Sequence, residues 1–193
     1  MSIGCTSTSS LLKNANRHRD DGNYARAYHM YKSAAEQFEA RASSLTPREQ
    51  EQLAQVYDAM GPCGVWSGIE TNGMYWGKMA WHWHQMAAEG NDPDALYALS
   101  LQYDPQNAWH VQADINKSFY YLFRAADAGQ QEALLLLINY DLVSVPAYGD
   151  RASNAIARAV SNGNKDVIQA LISKECQPSG AGYPPQSVGS PDP

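Results

Sequence analysis

Small and apolar residues recur along this chain at intervals that fit one side of an α-helix. Asp114, Lys117, Tyr121, Ala125, Ala126 and Gly129 fall at offsets 0, 3, 7, 11, 12 and 15. Counted from Trp76, Ala80, Trp83, Ala87 and Ala88 stand at offsets 4, 7, 11 and 12, with Gly90 one place early. Arg26, Ala27, Tyr31, Ala34 and Ala35 follow the scheme near the start, and a weaker copy runs through Ala152, Ala155, Ala159 and Gly163. Offsets 4, 7 and 11 share a helix face, where small side chains let a neighbouring helix come close. The closing glycine suits the left-handed position that stops a helix. Each copy is therefore expected to be one helix packed on a partner.

The partners are also legible. Leu53, Ala54 and Tyr57 share their spacing with Leu99, Ser100 and Tyr103, and Ala95 adds a preceding turn to the second set. A third set keeps Ala133 and Leu137 but has Ile138 and Asp141 where a small residue and an aromatic are expected. Start signals agree: Thr46-Pro47-Arg48-Glu49 reads as a capping box, Asp92-Pro93 opens the helix carrying Leu99, and Asp114 caps the next. The pattern predicts helices near 10–20, 23–43, 47–60, 75–89, 93–103, 115–128, 131–142, 151–162 and 165–175. No segment alternates with period two, so the fold class is all-α. Gly61 to Gly73 and Asp104 to Ala113 are expected as long loops, and Gln177 to Pro193, rich in Pro, Gly and Ser, as a disordered tail.

A helix with Ala95, Leu99, Ser100 and Tyr103, followed by one with Asp114, Lys117, Ser118, Tyr121, Ala125, Ala126 and Gly129, resembles the Sel1-like repeat, a relative of the tetratricopeptide repeat. The resemblance spans roughly residues 47–163, with Ser100 and Ser118 standing where that family prefers Gly and Ala. It implies an α-α superhelix of about four helix pairs. Residues 1–10 would be a tether, 11–45 a tetratricopeptide-like pair, 46–176 the Sel1-like repeats and 177–193 the tail. It further implies a protein-binding surface without intrinsic chemistry. Small bacterial members include immunity proteins that neutralise secreted toxins, lipases among them. Ser2 to Ser10, with Gly4 before Cys5 and a Ser/Thr-rich stretch after it, is similar to the junction of a bacterial lipoprotein. That likeness implies lipidation at Cys5 and a periplasmic, membrane-tethered protein. The alternative is a free cysteine in a flexible terminus of a cytoplasmic protein.

Composition narrows the partners. The 193 residues are 44% apolar, enough for a core and too apolar for a wholly disordered chain. The longest aliphatic stretch, Ala133 to Ile138, is six residues against the roughly 20 that a membrane span needs, so no transmembrane helix is expected. With 14 basic and 20 acidic residues the net charge is −6, and no Lys/Arg run occurs, which argues against nucleic acid as a partner. The negative charge instead favours a cationic protein partner at low salt. The acids themselves, including Asp20-Asp21, Glu49 and Glu51, read as helix starts or solvated faces.

Catalytic signatures are not found: no G-x-S-x-G, H-E-x-x-H or phosphate-binding glycine pattern is present, and Gly64-Val65-Trp66-Ser67-Gly68 reads as a glycine-rich loop. No catalytic residue, cofactor or metal is therefore expected. Trp81-His82-Trp83-His84 would make a metal pair on a strand, but on a helix the two imidazoles are roughly 200° apart. Trp83 and His84 should face the core with Ala80 and Ala87 while Lys78 and His82 face water, and a packed His84 would need a hydrogen-bond partner. Phe119 to Phe123 reads as core with a sticky edge. Large aromatics are enriched where proteins bind each other, so Trp66, Trp76, Trp81, Trp109 and His110 are the expected partner contacts. Two rival readings stand beside the immunity protein. One is a cytosolic adaptor or secreted effector scaffold; the other is a ligand- or metal-dependent enzyme in which His82, His84 or His110 meets carboxylates.

Overall fold

In a computed structural model, residues 7–107 and 111–175 are described. They form α1 (Thr8–Asp20), α2 (Tyr24–Glu39), α3 (Pro47–Trp66), α4 (Met74–Glu89), α5 (Pro93–Tyr103), α6 (Ile115–Asp127), α7 (Gln131–Asn139), α8 (Gly149–Ser161) and α9 (Lys165–Glu175). Two short 3-10 turns, Ala42–Ser44 and Leu142–Ser144, join α2 to α3 and α7 to α8. No strand occurs among the described residues, so the chain is all-helical.

One turn is used four times. The connections α1–α2, α4–α5, α6–α7 and α8–α9 each have three residues, and the middle one is left-handed: Gly22 (φ 75°), Asn91 (φ 60°), Gly129 (φ 85°) and Gly163 (φ 74°). In each, the amide of the third residue reaches back into the finished helix: Asn23 to His18, Asp92 to Ala87, Gln130 to Ala125 and Asn164 to Ala159, at 2.7–3.1 Å. The left-handed residue lets the chain leave the helix while its last carbonyls keep donors. The same third residue caps the next helix through its side chain in three cases, Asp92, Gln130 and Asn164. This explains the glycine that comes one place early: the left-handed position, offset 15 from Trp76, belongs to Asn91. Gly90 answers a different demand. A Cβ there would lie 2.3 Å from Cγ of Pro47, at the head of α3.

Packing follows the small residues. Each of α1 to α6 lies chiefly against its neighbours in sequence, and Ala27, Ala54, Ala80, Ala87, Ala95, Ala125, Ala133 and Ala152 are wholly buried at those contacts. Two apolar clusters result. Tyr28, Tyr31, Phe38, Leu53, Tyr57 and Met60 anchor the first; Leu96, Leu99, Phe123, Leu134, Leu137 and Ile156 anchor the second. Helix α4 serves both, giving Ala80 and Trp83 to the first and Ala87, Ala88 and Trp81 to the second. In two places a tyrosine of one helix stacks on an aromatic of the next: Tyr57, midway along α3, on Trp76, and Tyr103, the last residue of α5, on Tyr121, both with ring centroids 5.7 Å apart.

The first part of the expected loop from Gly61 to Gly73 is helix, because α3 runs on through Pro62 to Trp66, and only residues 67–73 connect it to α4. Burial of Met60, Gly61, Cys63 and Gly64 against neighbouring segments outweighs the hydrogen bond that proline removes. The glycines act here by their size. Gly61 lies against Gly73, and a Cβ at Gly64 would sit 2.6 Å from the side chain of Glu70, whose amide and that of Ile69 both bond the Gly64 carbonyl at 3.0 Å. At the other end of the array α7 stops at Asn139, short of the expected 142, since Asp141 turns left-handed (φ 53°) and pairs with Lys174 at 2.8 Å. Replacing Gly90 by alanine should destabilise the protein by about 1–3 kcal/mol in urea titrations, although alanine is the better helix former, because the Pro47 ring cannot move aside. Unchanged stability would contradict that contact.

Candidate functional site

The most unusual chemistry lies between α3 and α4. His84 is 1% exposed, and its Nδ1 stands 2.7 Å from Oε2 of Glu51, itself 1% exposed. Its Nε2 stands 2.8 Å from Oδ2 of Asp58, whose side chain is 45% exposed. Gln55 closes the buried end by donating to Oε1 of Glu51 at 2.9 Å. Glu51 and Asp58 are two helical turns apart on α3 and so share a face, while His84 comes from the middle of α4, between Ala80 and Ala87. Burial draws the imidazole towards its neutral form, but hydrogen bonds to Asp58 and Glu51 more than offset it, and the His84 pKa rises to about 9. At neutral pH the ring is a cation held between two carboxylates. Both ring nitrogens are engaged, and among the described residues no set of His, Cys, Asp and Glu side chains has the arrangement of a metal site.

Asp58 carries this charge to the surface. It lines a groove of about 560 Å³ between α1 and α3, together with Asn16, Arg19, Gln52, Gln55 and Trp66. Tyr31 of α2 also reaches the groove and donates its hydroxyl to Oδ1 of Asn16 at 2.5 Å. Arg19 is engaged by Asp20, with Nε at 3.1 Å and Nη2 at 3.0 Å from the same oxygen. Trp66 sits at the mouth, 64% exposed, tilted against Tyr24 at 5.0 Å. Around it Val65 at the end of α3, Ile69 in the short connection and Met74 and Tyr75 at the start of α4 are also exposed, a run of apolar side chains close in sequence to Trp66.

The five expected contact residues separate. Trp66 ends helix α3, where a loop was expected, and projects at the groove. Trp76 is half-buried in the first cluster, stacked on Tyr57 and edge-on to Tyr28 and Tyr75. Trp81 is half-buried against the second cluster, its indole nitrogen buried without a hydrogen-bond partner among the described residues, and it lines a second cleft of about 620 Å³ with Lys78, His82, Tyr103 and Lys117. Trp109 and His110 lie outside the described residues, as do Cys5 and the tail from Gln177. His82 and Lys78 are exposed and His84 buried, so the two imidazoles diverge as a helix requires. The need of a packed His84 for a partner is met twice over.

Glu51, Asp58 and the amides of the groove were not singled out by the sequence. Placing Glu51 on a solvated face was a misreading, and the available signal was its spacing: Glu51, Ala54 and Asp58 fall on one helical stripe whose middle member is small and buried. No family model and no curated protein matches this chain.

Replacing His84 with alanine should cost about 3–5 kcal/mol, since it leaves Glu51 charged and buried without its partner. The pH dependence has a definite sign. The folded state holds the His84 proton up to about pH 9 and the unfolded chain only to about 6.5, so this stability is complete below 6.5 and is lost as pH rises through 9. Thermal unfolding midpoints of the wild type should fall across that window, and those of His84→Gln should fall much less.

Proposed function

We propose that this protein is a non-catalytic binding module, a Sel1-like and tetratricopeptide-like helical superhelix whose groove between α1 and α3 takes a protein partner. The observation that carries the reading is Trp66, exposed at the mouth of a groove whose walls mix apolar side chains such as Leu12 and Val56 with polar ones, and flanked in sequence by further exposed apolar residues. An exposed aromatic beside a groove of mixed apolar, amide and charged lining provides an apolar anchor with hydrogen-bonding groups near it, the usual make-up of an interface centre. The fourfold recurrence of one left-handed turn, and the paired tyrosine stacks, support a repeat architecture in which successive helix pairs bury their faces on one another. In biological terms we propose an immunity-type partner that occludes a secreted bacterial toxin such as a lipase, held in the periplasm through a lipid on Cys5. The resemblance to Sel1-like proteins and the lipoprotein-like residues around Cys5 support that part.

The test is co-purification of the full chain with the product of the adjacent gene, repeated with Trp66→Ala. The variant should keep its stability within about 1 kcal/mol, because the indole is mostly in water, yet bind on the order of tenfold or more weakly. Binding indifferent to Trp66, or no binding to any neighbouring gene product, would refute the proposal.

A further inference from the structure

The groove has a charge that can be assigned residue by residue. Glu51 and the protonated His84 neutralise each other, and Arg19 is neutralised by Asp20. Because His84 also pairs with Asp58, one negative charge is left on the cluster, and Asp58 carries it to the surface. One of its oxygens is held by His84, while the other, Oδ1, has no hydrogen-bond partner among the described residues, and the side chain is half in solvent. Of the groove's amides, Gln55 spends its nitrogen on Glu51 and keeps its carbonyl oxygen as an acceptor, while Asn16 accepts from Tyr31. Trp66 at the mouth offers a ring face to a passing cation or aliphatic stem.

We infer that the groove between α1 and α3 receives a lysine or arginine side chain from an extended segment of the partner protein, the cation resting on Oδ1 of Asp58 and its stem lying against Trp66. This rests on the binding-module reading above and adds the chemistry of what is bound. Charge complementarity carries it: one protonated histidine faces two carboxylates, so the cluster keeps one negative charge, and Asp58 is the member that reaches the groove, in a chain of net charge −6. A fixed carboxylate needs no reordering to accept a charge-assisted hydrogen bond.

The experiment selects short random linear peptides on phage against the full-length protein, then titrates the synthetic winners by fluorescence anisotropy. Selected sequences should be enriched in Arg and Lys over the input library, and binding should weaken at least about tenfold in Asp58→Asn. Gln52→Arg, at a half-exposed wall position, adds a cation while leaving the His84 cluster intact. It should weaken binding similarly, and it keeps the test valid if Asp58→Asn folds poorly. Acidic or purely apolar winners, affinities unchanged in Gln52→Arg, or no selected peptide at all would overturn the assignment. Winners without basic residues whose binding is nonetheless lost in Trp66→Ala would overturn it and leave the binding-module reading intact.

Discussion

Two helices can approach closely only where the side chains between them are small, and nearly every helix contact here obeys that limit. Wholly buried alanines at positions 27, 54, 80, 87, 95, 125, 133 and 152 mark the seams. The approach is set by backbone geometry, so a larger side chain at a seam forces a helix outward rather than filling a void. The left-handed turns complete the constraint. They reverse the chain within three residues and put a capping side chain at the head of the next helix, which fixes where that helix begins relative to the one just finished.

Within this apolar stacking the Glu51–His84–Asp58 cluster is the exception. It places a buried cation on a seam otherwise made of apolar side chains, at the centre of the helix that both apolar clusters share. Such a pair stabilises little compared with apolar residues of the same shape, because desolvation offsets much of the attraction. Its structural consequence is specificity: only one axial register of α3 against α4 lets both ring nitrogens meet carboxylates at once. Its surface consequence is that Asp58 points a fixed charge into the groove beside Trp66. The same contact that registers two helices thus sets the polarity of the surface they present.

The features legible along the chain are local ones. Capping at Thr46, Asp92 and Asp114, the alanine seams and the positions of most helices were all legible, because helix periodicity and capping are fixed by neighbours within a few residues. Even the misplaced glycine was consistent, once Asn91 is seen to occupy the left-handed position. Tertiary structure decided the rest. Gly61-Pro62 reads locally as the end of a helix, yet burial against the Gly73 segment carries α3 on to Trp66 and so puts that indole at the groove. Glu51 reads locally as a solvated acid, and only the arrival of His84 from α4 makes its burial tolerable. Both outcomes depend on groups far apart in sequence, and a pattern confined to one helix holds no record of the charge or the contact that another helix will bring to it.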